Sequence, residues 1–287
     1  MSGTSHINLD EPCNLIHLYD GTLDGFFCCV YECVYSGQLP FDIVPEEEAQ
    51  PSLMAQQFIA TDPEKAKRVR QSIPKKISSD ALELIQTVYL SCLEQKEIAM
   101  LRFLILGYRE GQRTLSMLGN PEVATIFNAQ RHLLSEQHLL TGFIRFSDYD
   151  GVLAATITPK NFVLPFLRGH FIGRYPNEDF MIFDKTHHAA LIYQNKKSQI
   201  VALENIEFPQ VSEAEEKYRA LWKRFYKTVA IEARENPRCR MTHMPKRYWE
   251  NMLEVKDELL PPRLAEAITD YKAALPAAKR LGLPETG

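Results

Sequence analysis

"GFIRFSDYDGVLAATITP", residues 142–159, is where the chain changes character. Polar and apolar residues alternate on either side of Asp148-Tyr149-Asp150-Gly151, which is the pattern of two strands joined by a tight turn. "KNFVLPFLRGHFIGRYP" (160–176) returns to helical spacing. "FMIFD" (180–184), "HAALIYQ" (188–194) and "SQIVAL" (198–203) then read as a three-strand meander, with turns at Lys185–His187 and Asn195–Ser198.

Helices dominate the chain before this point. "TDPEKAKRVRQSI" (61–73) opens with a capping Thr61 or Asp62 and has Pro63 in its first turn. "SSDALELIQTVYLSCL" (78–93) carries its own serine cap. "KEIAMLRFLILGYREGQRTLSML" (96–118) is apolar on more than one face and reads as a central helix. "NPEVATIFNAQRHLLSEQHLL" (120–140) is capped by Asn120 with Pro121 behind it. Nearer the N-terminus, "NLIHLYDG" (14–21) suggests a short strand and Asp24 a cap for the next helix, while 36–52, rich in proline and acid, reads as a loop. After the meander a helix is expected from Ser212, with Glu215 completing a capping box, to about Asn236, where Pro237 stops it. "MPKRYWENML" (244–253) is a short helix or turn.

Segregated elements of this kind give an α+β fold: a helical N-terminal half, a central antiparallel sheet (hairpin, helix, three-strand meander) and C-terminal helices. Residues 1–253 are expected to form one α+β domain, and 254–287 a C-terminal helix and loose tail. No internal repeat is visible.

Composition narrows the function classes. The chain has 287 residues, 45% hydrophobic and 24% charged, which is enough for a substantial core. A net charge of −4 gives no global pull toward nucleic acid, so any polyanion must meet a local patch. "MSGTSHINLDEPCN" has no basic stretch followed by an apolar core, and no window is apolar enough to span a bilayer, so a cytoplasmic protein without membrane contact is expected.

The six cysteines (13, 28, 29, 33, 92 and 239) are too few and too scattered for a disulfide framework. "GFFCCVYECVY" (25–35) gathers three of them, Cys28, Cys29 and Cys33, yet offers only one pair at ligand spacing, and no Cys or His pair elsewhere completes a zinc set. Position 36 is Ser, where a radical-SAM cluster motif would place another cysteine. Apolar residues at 23, 26, 27, 30, 31 and 34 make this a buried helical stripe, so the thiols are expected in the core and neither metal nor other cofactor is expected.

Common catalytic motifs are missing: no nucleophile elbow, no phosphate-binding glycine loop, no His-Glu-x-x-His. Four residues could still serve general acid–base chemistry if they converge: His138, His170, Asp184 and His187. The bland alternative is a polar network joining helix to sheet.

The cations carry a stronger signal. Residues 65–76 hold six Lys or Arg and no acid, and 217–247 hold ten against Glu232 and Glu235. Lys75, Lys76, Arg145, Arg174, Arg224, Arg234, Lys246 and Arg247 are candidate phosphate contacts, and Tyr248 and Trp249 candidate stacking groups for an exposed base. Solvated helix faces and core-anchoring aromatics are the competing explanation.

Several stretches in order, "YDGTLDGFFCCVYECV", "EQHLLTGFIRF", "LPFLRGHFIGRYP", "MIFD" and "LWKRFYKTVAIEARENPRCRMTHMPKRYW", resemble a bacterial family of uncharacterised DNA-metabolism and DNA-repair proteins. The resemblance spans about residues 14–253. It implies a DNA-related role and a radical-SAM protein as partner, in a family whose domain is also found fused ahead of a uracil-DNA glycosylase-like domain. Its polar signature falls on Glu136, His138, Arg145, His170, Arg174, Asp184, Lys246 and Arg247, none with an established catalytic role. No glycosylase motif lies within the chain. The leading expectation is therefore a DNA-binding accessory to a radical-SAM or glycosylase-type enzyme. An enzyme acting on DNA or nucleotides and a protein adaptor without DNA contact are the alternatives.

Overall fold

The computed structural model describes residues 11–149, 151–204, 206, 213–229 and 236–255. They are α+β and fall into two compact units. Unit 1 comprises the chain to His138 together with Lys160–Val163; unit 2 comprises Leu139–Pro159 and the chain from Leu164. The expected helix and tail over 254–287 lie, beyond Val255, outside the described residues.

Unit 1 begins with strand β1 (Cys13–Tyr19) and helix α1 (Leu23–Ser36). Thr22, rather than Asp24, caps α1: its hydroxyl accepts the Gly25 N–H at 3.0 Å. The stretch expected to be loop contains β2 (Pro40–Pro45), and β3 (Ala55–Phe58) follows. Both pair parallel with β1, giving the order β2-β1-β3. Prolines bounding β2 masked it in the sequence, because proline at strand ends reads as turn.

Helices α2 (Pro63–Lys76), α3 (Ser79–Tyr89), α4 (Lys96–Glu110) and α5 (Pro121–Phe143) complete the unit, α5 running on into unit 2. Their starts follow the local chemistry: Asp62 caps α2, Ser78 caps α3, and Asn120 accepts the Glu122 N–H before α5. The central helix α4 is shorter than expected. Gly111, with φ +63°, ends it, and a 3-10 turn occupies 111–116. Its Met100, Leu101, Phe103, Leu104 and Ile105 are fully buried, as are Phe26, Phe27, Cys28, Cys29 and Cys33 of α1. Burial pushes the Cys29 thiol up, and that of Cys33 up to about 12, so these sulfurs are packing groups.

Unit 2 holds a five-stranded sheet in the order β4-β5-β6-β7-β8: β4 (Ser147–Tyr149), β5 (Val152–Ile157), β6 (Asp179–Asp184), β7 (Ala189–Gln194) and β8 (Lys197–Ala202). Hairpin and meander are as expected, but the sheet is mixed rather than antiparallel. β5 and β6 run parallel, because the connection between them, carrying helix α6 (Leu164–Arg174), is a crossover. Asn195 and Lys196, with φ +50° and +59°, form the two-residue turn that joins β7 to β8. Helix α7 (Glu213–Val229), helix α8 (Pro237–His243) and a 3-10 turn (Lys246–Asn251) follow. Pro237 starts α8 behind its cap Asn236; Ser212 and residues 230–235 of the helix expected from Ser212 to about Asn236 lie outside the described residues.

One turn in unit 1 is fixed by a steric demand. Asp20 accepts the Thr22 N–H at 2.9 Å, the Thr22 hydroxyl at 2.7 Å and the Thr61 hydroxyl at 2.7 Å, tying β1 to the chain ahead of α2. A Cβ on Gly25 would stand 2.2 Å from Asp20 Oδ1 and 2.9 Å from Thr61 Oγ1. Gly25→Ala should therefore cost about 2 kcal/mol, as overpacking does. Gly119→Ala, with nothing within 4 Å, should stay within about 0.5 kcal/mol. Urea unfolding of the two variants checks this, and an unchanged midpoint for Gly25→Ala would refute the close-approach account.

Candidate nucleic-acid interface

Arg145, Phe146, Arg174, Tyr175, Arg219 and Trp222 line a cleft of about 540 Å³ in unit 2. Three elements bring them together: the segment before β4, the end of α6, and one face of α7, where Glu215, Tyr218, Arg219 and Trp222 recur at helical spacing.

Two of the three arginines are engaged in holding the cleft. Arg145 grips one oxygen of Glu254 through Nε at 3.0 Å and Nη2 at 2.6 Å, while Nη1 donates to the Gly142 carbonyl at 2.7 Å. Trp222 closes the set: its Nε1 donates to the other Glu254 oxygen at 3.2 Å, and the Arg145 guanidinium lies 5.7 Å from its ring centre. Arg219 bonds Glu215 at 2.9 Å and the Ser147 hydroxyl at 2.6 Å.

Arg174 differs. It has a long hydrogen bond to the Tyr175 hydroxyl at 3.3 Å and no carboxylate within 4.0 Å among the described residues. Tyr175 is held edge-on by Phe146 and parallel to Phe171, so Arg174 stands beside a fixed aromatic platform. The outer face of α7 leaves Tyr218, Leu221, Trp222 and Phe225 exposed, Tyr218 by 70%. The cleft thus offers an available guanidinium beside open aromatic faces, which is what phosphate and base contacts require.

The structure distributes the expected residues unevenly. Arg145 and Arg174 share the cleft, and Arg224 is exposed on α7. Arg234 lies outside the described residues. Lys246 and Arg247 sit on the 3-10 turn, their cations over the rings of Trp249 and Tyr248. Those two rings are corrected as stacking candidates. Tyr248 packs on Phe143 and is 2% exposed, and Trp249 is buried with its Nε1 donating to the Met244 carbonyl. Tyr218 and Trp222, on α7, are exposed instead.

Lys75 and Lys76 are exposed at the end of α2, in unit 1. Two cations of that basic run are paired with acids of α1: Lys65 with Glu32 and Arg70 with Asp24.

Of the four acid–base candidates, the structure brings together Asp184 and His187, Nδ1 to Oδ2 at 2.7 Å. The buried Asp184 also accepts the Thr186 and His187 N–H groups, so it closes the turn after β6. His170 is exposed on α6, edge-on to Phe171, and His138 belongs to unit 1. Among the described residues no three His, Cys, Asp or Glu side chains form a metal-binding group, and no helix is long and apolar enough to cross a membrane.

Glu254 sets a pH dependence for the cleft. Burial pushes its carboxyl up, but the hydrogen bonds from Arg145 and Trp222 and the Arg145 charge outweigh it and hold it below the ordinary glutamate range. Its folded value being depressed, the stabilisation is present above the unfolded value, about 4.3, and is lost as pH falls through the folded one. Thermal unfolding should show the wild type losing stability in that acid window and Glu254→Gln lacking this component. Arg145→Ala, which strands the carboxylate, should cost about 3 kcal/mol at neutral pH.

No curated protein matches the chain. Among solved structures, a pGpG-specific phosphodiesterase, PggH, from Vibrio cholerae is similar at a TM-score of 0.27 and 10% identity, over 62% of this chain and 81% of that one, which is below the level of a shared fold. Residues 94–254, more than half of the chain, match the family described as a domain of unknown function, DUF4130, and the chain belongs to that family.

Proposed function

We propose that unit 2 binds a single-stranded or locally opened stretch of DNA, and that the protein is an accessory presenting that strand to a radical-SAM or glycosylase-type enzyme. The observation that carries the DNA part is Arg174: a guanidinium without a carboxylate partner among the described residues, beside a clamped tyrosine and the exposed Tyr218 and Trp222. On a chain of net charge −4 such a patch is local, so its contribution is contact rather than long-range attraction. Phosphate oxygens suit Arg174, and unpaired bases suit the aromatic faces. The partner enzyme rests on the family resemblance of the sequence alone. Exposed Leu221, an aliphatic group with no use in base stacking, favours a second reading, in which the outer face of α7 docks a protein and DNA is not touched.

The chain has two tryptophans, and the buried Trp249 leaves Trp222 as the fluorescent group a bound base can quench. Titration with a short fluorescent single-stranded oligonucleotide should show Trp222 quenching and an affinity that falls as salt rises. Arg174→Ala should weaken binding about tenfold at low salt and lower the salt slope by about 0.7. An affinity independent of salt, or equal in wild type and Arg174→Ala, would refute DNA contact at this cleft.

A further inference from the structure

Glu254 is an acid set against a cleft otherwise suited to anions. It follows the 3-10 turn of residues 246–251 and lies between Met252 and Val255, both buried. Its carboxylate reaches back 109 positions to Arg145 and 32 to Trp222, and the two donors divide it. Oε1 accepts from the guanidinium and Oε2 from the indole N–H. Arg145 and Trp222 line the cleft, the arginine side chain 24% exposed, whereas the side chain of the acid that satisfies them is 2% exposed. Despite that burial, the bonds from Arg145 and Trp222 hold its carboxyl below the ordinary glutamate range, so it is charged at neutral pH.

The other acid pair of the cleft provides a contrast. Glu215 and Arg219 stand four apart on α7, so their bond is internal to one helix. Arg145, Trp222 and Glu254 come from three separate segments, and moving the Glu254 side chain alone undoes the whole set. The guanidinium would stay where it is, because Nη1 also donates to the Gly142 carbonyl at 2.7 Å and the Ile144 carbonyl at 3.3 Å. A carboxylate and a phosphate present anionic oxygens to a guanidinium at the same distances. The donors that hold Glu254 are therefore already placed for a phosphate.

We propose that Glu254 is a built-in phosphate surrogate: in the free protein it occupies the Arg145 and Trp222 donors, and a bound DNA strand displaces it with one of its own phosphates. This assignment rests on the reading of the cleft as a DNA site and supplies that site's regulation. Arg174, with no carboxylate partner among the described residues, makes the first contact without any exchange. At Arg145 the strand must first break the bonds to Glu254, and that cost holds down the affinity of the resting protein.

Fluorescence anisotropy of a short labelled single-stranded oligonucleotide, at neutral pH and constant salt, tests this on the full chain, with melting temperatures measured alongside. Glu254→Gln should bind about tenfold more tightly than the wild type. The gain acts through Arg145, so adding Arg145→Ala to the Glu254→Gln variant should abolish it. Glu215→Gln removes the same charge from the same cleft without freeing Arg145, and should change affinity by less than about threefold. Glu254→Asp keeps the charge but falls one methylene short of the two donors; it should also tighten binding, and it decides the matter if the neutral variant does not fold. Unchanged affinity in the Glu254 variants, with Arg174→Ala still weakening the wild type, would overturn the surrogate and leave the DNA site standing. A gain that survives Arg145→Ala would make Glu254 merely a repelling charge and overturn it as well. Absence of salt-dependent binding in both the wild type and Glu254→Gln would remove the DNA site and the surrogate together.

Discussion

A buried carboxylate organises the middle of this chain. Glu136 accepts N–H groups from Lys160, the Asn161 backbone and the Asn161 side chain, and burial of an ionised group is tolerable only with such saturation. These bonds hold residues 160–163 in unit 1, although the strand before them and the helix after them belong to unit 2. Phe162 adds a backbone bond to the Leu90 carbonyl at the end of α3, and Val163 is fully buried. Residues 160–163, on the connection between β5 and α6, thus belong to unit 1.

The same logic of satisfied charge sorts the cations. Lys65 and Arg70 clamp α2 to α1, Arg145 and Arg219 shape the cleft, and Lys246 and Arg247 lie over the rings of Trp249 and Tyr248. A run of basic residues in sequence thus counts both the cations that build the fold and those that face a ligand. Geometry separates the two classes, because a carboxylate partner draws a guanidinium from the pool that a phosphate can recruit.

Local chemistry was readable. Asp62 with Pro63, Ser78, and Asn120 with Pro121 start helices where capping demands, and Asn195–Lys196 turns the meander. Pairing was not. β2 is framed by prolines, and the parallel contact of β5 with β6 depends on a crossover rather than on either strand's own residues. In the cleft, Arg145 and Arg174 were visible as charge, whereas the aromatic roles were exchanged. A stripe such as Tyr218–Trp222–Phe225 has the spacing of a core face, and only burial shows that Tyr248 and Trp249 took the core instead.

The excursion of residues 160–163 also governs how the molecule can be dissected. A single cut after His138 would leave the second fragment carrying Asn161 and Val163, buried groups whose partners remain on the first. The first fragment would keep a Glu136 carboxylate without its bonds from Lys160 and Asn161. A working boundary has to leave residues 160–163 with the first fragment, because their partners are there.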